Sequence, residues 1–163
     1  MQRRLIALFG ALTILALPVA SFAKPLVSLK LAGFLVQKAT DGKEQLTPVE
    51  KTVLKPGEIV RYEIDALNAG DSAASKLAPV AHIPANTTFV AGTASAAAAA
   101  TIEYSLDGGK TWSLRPMVTV QTPTGPVQKP ADPATYNAVK WISTGSLAPK
   151  STVAYLYEVR VSK

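Results

Sequence analysis

From Ile59 to Asn68 the chain alternates, with Val60, Tyr62, Ile64 and Ala66 on one side and Arg61, Glu63 and Asp65 on the other. This is the period of a strand with one face in a core and the other in water. Residues 153–161 repeat it: Val153, Tyr155, Tyr157, Val159 and Val161 are set against Ala154, Leu156, Glu158 and Arg160. Shorter runs predict further strands at Leu26–Leu31, Phe34–Lys38, Val49–Leu54, Lys76–Ile83, Thr87–Ala91, Thr101–Leu106, Thr111–Gln121 and Tyr136–Ser143. Turn chemistry separates them at Thr40-Asp41-Gly42-Lys43, Lys55-Pro56-Gly57-Glu58, Asn68-Ala69-Gly70-Asp71, Asp107-Gly108-Gly109-Lys110 and Ala148-Pro149-Lys150. Many short strands without a helical period predict an all-β chain, an immunoglobulin-like antiparallel β-sandwich of about 7–9 strands.

Two stretches break the pattern. Residues 94–101 (ASAAAAAT) favour a helix by propensity but are too short to hold one without a packed apolar face, which predicts a pliable connection. Residues 122–133 place Pro123, Pro126, Pro130 and Pro133 close together, which forbids a central strand and predicts an extended surface loop, a place where a partner could bind. The spacing L-x-P-x-x-x-V-x-Y occurs twice, at Leu54, Pro56, Val60, Tyr62 and at Leu147, Pro149, Val153, Tyr155. It predicts two strands with similar roles rather than a duplication.

The N-terminus reads differently. Arg3 and Arg4 precede an uncharged 13-residue run, Leu5 to Leu17; Pro18 follows, and then Ser21-Phe22-Ala23. A cationic start, a short apolar run and small residues at the cleavage positions predict a secretory signal over residues 1–23, removed after Ala23. The run is short of the roughly 20 residues a spanning helix needs, which weighs against an uncleaved anchor. The expected domain is residues 24–163, exported to the periplasm or to the extracellular or cell-surface side, with no integral membrane span after cleavage.

Charge and composition narrow the chemistry. The formal net charge is +6, and loss of Arg3 and Arg4 takes two from it, leaving mild basicity without a nucleic-acid footprint. There is no cysteine and one histidine, His82. These exclude a disulfide framework and a cysteine nucleophile, and they count against a histidine-built metal cluster or triad. His82 beside Ile83-Pro84 reads as an edge residue. No H-E-x-x-H, G-x-S-x-G, Walker glycine loop or Ser-x-x-Lys lies in residues 24–163. Glu63 and Asp65 share an outward face as a solvated like-charge pair, and Asn86-Thr87-Thr88 is a sequon that matters only in a glycosylating host. No enzymatic activity and no cofactor is expected.

Residues 55–95 (KPGEIVRYEIDALNAGDSAASKLAPVAHIPANTTFVAGTAS) and 139–161 (VKWISTGSLAPKSTVAYLYEVRV) resemble the bacterial conserved repeat domain of unknown function, domain-of-unknown-function family eleven. The likeness is carried by Pro56-Gly57, Tyr62, Asn68-Ala69-Gly70-Asp71, Ile83-Pro84, Trp141 and Leu147-Ala148-Pro149, and spans roughly residues 50–161. Two positions depart from the family: Ala81-His82 stands where an acidic residue is common, and Lys150 where a glycine follows the second proline. The resemblance implies an immunoglobulin-like fold on secreted or cell-surface proteins, with no catalysis attached. Members usually stand in tandem arrays, whereas this chain carries one copy.

One further string is specific. Ser105-Leu106-Asp107-Gly108-Gly109-Lys110-Thr111-Trp112 resembles the Asp-box hairpin of sialidase-type propellers and other carbohydrate-active proteins. Locally, Asp107 is suited to accept turn amides, Gly108 and Gly109 to take positive φ, and Trp112 to pack over the turn. That chemistry predicts a structural turn at Asp107, Gly108 and Gly109, with a glycan-contacting edge as the alternative. Trp112, Tyr104 and Tyr136 are the candidates for carbohydrate or partner contact, while Tyr62 and Trp141 suit core positions. The sequence thus predicts an exported, non-catalytic envelope or surface module with a protein or envelope-glycan partner. Its rival is a carbohydrate-binding accessory protein, which needs two exposed aromatics on one flat face. A minimal hydrolase, the third reading, lacks an acceptable nucleophile and base. Oligomeric state is left open.

Overall fold

The computed structural model describes residues 24–162, so the predicted signal at 1–23 lies outside the described residues. The described chain is an antiparallel β-sandwich. In chain order its strands are β1 (Val27–Lys38), β2 (Glu44–Pro48), β3 (Ile59–Asn68), β4 (Val80–His82), β5 (Thr87–Phe89), β6 (Ser95–Ala96), β7 (Ala100–Ser105), β8 (Met117–Thr122), β9 (Gly125–Pro130), β10 (Ala138–Ser143) and β11 (Thr152–Val161). A six-stranded sheet runs β2-β1-β3-β11-β5, with β6 also on β11, and faces a three-stranded sheet, β4-β10-β7. The ribbon β8-β9 stands apart from both.

β3 and β11, the strands of clearest alternation and the two that carry the repeated spacing, lie side by side in the larger sheet. Val60 is opposite Val159 and Ile64 opposite Tyr155, all four buried. Trp141 on β10 meets Tyr155 and Tyr157 at ring-centroid distances of 5.9 and 6.0 Å, joining the layers at their centre. Phe89 on β5 meets Tyr104 on β7 at 5.5 Å and joins them at one side. Tyr62 is only half-buried and stacks on Tyr157 at 5.3 Å. The opposite face of β3 is also more organised than simple hydration implies: Arg61 donates to Glu158 Oε1 from Nε at 2.9 Å and Nη2 at 2.6 Å, and to Glu44 Oε2 at 2.8 Å.

Several predicted boundaries move, each for a local reason. Leu26–Leu31 and Phe34–Lys38 join into β1, which passes through Gly33. A Cβ there would sit 3.0 Å from Val49 Cγ2 and 3.1 Å from Tyr62 Cε1, so this glycine marks close approach rather than a break. Val49–Leu54 is not a strand: Val49–Lys51 is a 3-10 turn. The strand comes earlier, as β2, because the Asp41-Gly42 turn closes a hairpin, with Gly42 at φ 82° and Lys43 N donating to Asp41 Oδ1. β2 is a polar edge and carries no alternation signal.

The alanine run is paired with both sheets rather than left as an unpaired connection. Ala96 pairs with Tyr155 in one sheet and Ala100 with Ser143 in the other, so these small side chains carry the chain around the corner between layers. Ala97 N donates to Ala154 O, and Ala99 O accepts from Thr144 N. The proline-rich segment 122–133 is not a plain loop, since β9 pairs along it with β8 from Met117↔Pro130 to Thr122↔Gly125. The prolines keep it out of both main sheets, leaving a two-stranded ribbon in which each strand is an edge.

Candidate functional sites

The Asp107 hairpin is built from the end of β7 outward. Ser105 is buried, and its Oγ accepts from Asp107 N at 3.2 Å and Gly109 N at 2.9 Å while donating to Asp107 Oδ1 at 2.7 Å. Asp107 Oδ1 also accepts from Lys110 N at 3.0 Å and Thr111 N at 2.9 Å, and Oδ2 accepts from the Thr111 hydroxyl at 2.6 Å. Gly108 and Gly109 take φ of 74° and 89°, a region side chains rarely enter. Gly108 N donates to Asn137 Oδ1 at 2.9 Å, tying the turn to the residue that precedes β10. Both carboxylate oxygens are engaged within their own turn.

These bonds, the Thr111 hydroxyl first, hold the Asp107 carboxyl below the usual carboxylate range. A carboxyl whose folded pKa is depressed stabilises the fold fully above its unfolded pKa of about 3.9, and that contribution is lost as pH falls through the folded value. In thermal melts from pH 6 down to about pH 3, the wild-type midpoint is therefore expected to fall further than that of Asp107→Asn. Parallel curves would remove the hairpin carboxylate from the acid sensitivity.

The aromatic candidates separate. Trp112 is half-buried; its Cζ2 lies 3.2 Å from where a Cβ on Gly109 would stand, and Lys140 Nζ lies 4.6 Å from its ring centroid. Lys140 is itself paired with Glu103 at 2.5 Å. Tyr104 and Tyr136 stack at 4.8 Å, and Phe89 packs on both. Tyr136 is buried and Tyr104 half-buried, and burial raises both phenol pKa values. Tyr104 and Trp112 share a shallow cleft with Leu106, Pro116 and Met117. None of the three is an exposed ring, so they do not form the flat exposed pair that the carbohydrate reading needs. His82 is exposed at the edge of β4, and the described residues contain no group of three His, Cys, Asp or Glu placed to hold a metal.

A second site was missed from the sequence. Leu29 and Leu31 lie opposite Ala66 and Ile64, so they point to the inner face of the larger sheet, yet they are 57% and 59% exposed. The cause is the unequal size of the layers. β5 covers β7, β11 covers β10, and Ala66 of β3 lies over Leu77, Ala78 and Pro79, which lead into β4. Among the described residues the smaller sheet ends at β4, and none of their strands lies beneath the Val27–Leu31 half of β1. An apolar groove opens there, lined by Val27, Leu29, Ala66, Leu77, Ala78 and Pro79. In sequence Leu29 and Leu31 look like any half-buried strand, because alternation specifies a face but not whether a second layer reaches it.

Comparison with family models, with curated proteins and with solved structures finds no match to this chain.

Proposed function

We propose that the chain is an exported, non-catalytic β-sandwich module that works in the cell envelope or at the cell surface by binding a partner. The observation that carries the binding role is the pair Leu29 and Leu31, exposed on the inner face of β1 beside the unfinished edge of the smaller sheet. Together with Val27, Leu77, Ala78 and Pro79 they make a contiguous apolar patch, and such a patch, unlike a single exposed side chain, is a common mark of an interaction site. The non-catalytic role is supported by how four of the acidic groups are used. Glu44 and Glu158 hold Arg61, Glu103 holds Lys140, and Asp107 is engaged by its own turn. Export rests on the pattern of residues 1–23, and envelope placement also on the resemblance to the conserved repeat domain.

The full chain expressed in a bacterial host tests the localisation. Intact-mass measurement of the protein in the periplasmic or culture fraction is expected to give a chain beginning at Lys24. Protein retaining Met1 in the membrane fraction would overturn export.

A further inference from the structure

We infer that the groove beneath β1 accepts a single extended peptide segment, which adds to the free edge of β4 as a fourth strand of the smaller sheet. The inference rests on the reading of the chain as an interaction module and names the occupant of that site. The backbone supplies the first part of the argument. Leu77 O, Pro79 O and Ile83 N bond to Ser143 N, Trp141 N and Asn137 O, so the odd-numbered residues of this segment face β10. By the alternation of antiparallel pairing, the N–H and C=O groups of Ala78 and Val80 and the N–H of His82 point to the open side. All three residues are exposed, and the His82 carbonyl alone is engaged from within, by the Tyr157 hydroxyl at 3.3 Å.

Edges are ordinarily blunted by shortness, charged side chains, proline or a bulge. β4 is short, and Lys76, with φ 57°, ends the open edge on one side, but no Lys, Arg, Asp or Glu lies between Leu77 and Ile83. Here the one proline, Pro79, lies on the side paired with β10, where its missing N–H leaves the free edge intact. β7, at the other end of the same sheet, is guarded instead by the pairing of Tyr104 with Ser113.

The overhang decides what can enter. A strand added at the usual spacing of about 4.8 Å from β4, with the sheets about 10 Å apart, lies under β1. Its inward side chains then meet Val27, Leu29 and Leu31. A second copy of this sandwich cannot present its β4 in the same orientation, because its own β3 covers β4 and would occupy the space of β1. Turned over, it would press its Lys140–Glu103 pair and the overlying Trp112 against the overhang. Only a segment one layer thick fits, with apolar side chains at alternate positions toward β1 and polar ones toward water. Val49, packed against Gly33, closes the slot at its far end, so three or four residues fill it.

Amide hydrogen exchange on the 24–163 chain tests this, with the acetylated and amidated heptapeptide TVTVEVT as probe at up to about 1 mM, the weak end of affinity for a short segment. At tenfold excess over Kd, exchange at Ala78, Val80 and His82 is expected to slow about tenfold. The effect should disappear with a peptide N-methylated at the residues facing β4, and with Leu29→Asp/Leu31→Asp, whose positions are open enough to leave the melting midpoint little changed. No slowing at these amides overturns the proposal. So does slowing that appears without peptide and grows with protein concentration together with a dimer in sedimentation, which would make a second copy the occupant. Neither result bears on export, which the processed N-terminus tests separately.

Discussion

Asn68→Ala is expected to lower the stability of the fold by about 3 kcal/mol or more, among the largest effects available from a polar residue in this chain. Asn68 occupies the fifth inward position of β3 and is fully buried. Its Oδ1 accepts from Leu26 N at 3.2 Å and Gly70 N at 3.1 Å, and its Nδ2 donates to the carbonyls of Ser72 at 2.8 Å, Leu147 at 3.1 Å and Ala148 at 3.3 Å. One side chain therefore ties together the start of β1, the turn after β3 and the turn before β11. Alanine would leave these groups in a space too tight for free solvation; a buried group without its partner costs about 1–3 kcal/mol, and several are affected at once. Gly70 shows how tight the space is: a Cβ there would stand 2.3 Å from Lys24 O. Chemical denaturation reads the loss, and amide exchange at Leu26 and Gly70 should accelerate first. A variant within about 0.5 kcal/mol of wild type would mean that water replaces the amide without penalty.

That residue also marks how far the sequence could be read. The alternation that placed Val60, Ile64 and Ala66 in the core continues to position 68, so an amide in an apolar slot was visible. Its role was not, because beside the local partners Gly70 and Ser72 it holds groups 42 and about 80 residues away, on segments only the fold brings together. The same division holds elsewhere. β3, β11 and the Asp107 hairpin were legible, since their causes are local: period two in the strands, and a carboxylate serving amides three and four residues on. β2, the corner at residues 95–100 and the pairing of β9 with β8 were not, since edge strands and crossings take their identity from neighbours; of the predicted strand Thr111–Gln121 only the second half is β8. Tyr104 and Tyr136 looked like contact residues because aromatic side chains serve cores and binding faces alike. Their stacking with Phe89 is set by the meeting of β5 with β7. The groove beneath β1 was the least legible feature, being defined by where the smaller sheet ends among the described residues.

Trp141→Ala is expected to cost about 3–5 kcal/mol, the range for removing a large aromatic from a packed core. Trp141 has no exposed surface and is opposite Ile102 on β7; its backbone N–H donates to Pro79 O at 3.0 Å, on the segment that leads into β4. Its ring meets Tyr155 and Tyr157 at interplanar angles of 53° and 48°, so its removal opens a void between the layers that neither tyrosine can fill without leaving its own position. The indole carries one liability: Nε1 is buried without a hydrogen-bond partner among the described residues. Both Trp141→Ala and Trp141→Phe remove this donor, whose burial unpaired costs about 1–3 kcal/mol, so the difference between them reads the packing of the ring. Phenylalanine should accordingly recover well over half of the stability lost in the alanine variant. Equal losses for the two substitutions, both of which remove Nε1, would show that a ring at this position adds nothing to packing between the layers, and would overturn the core role assigned to Trp141.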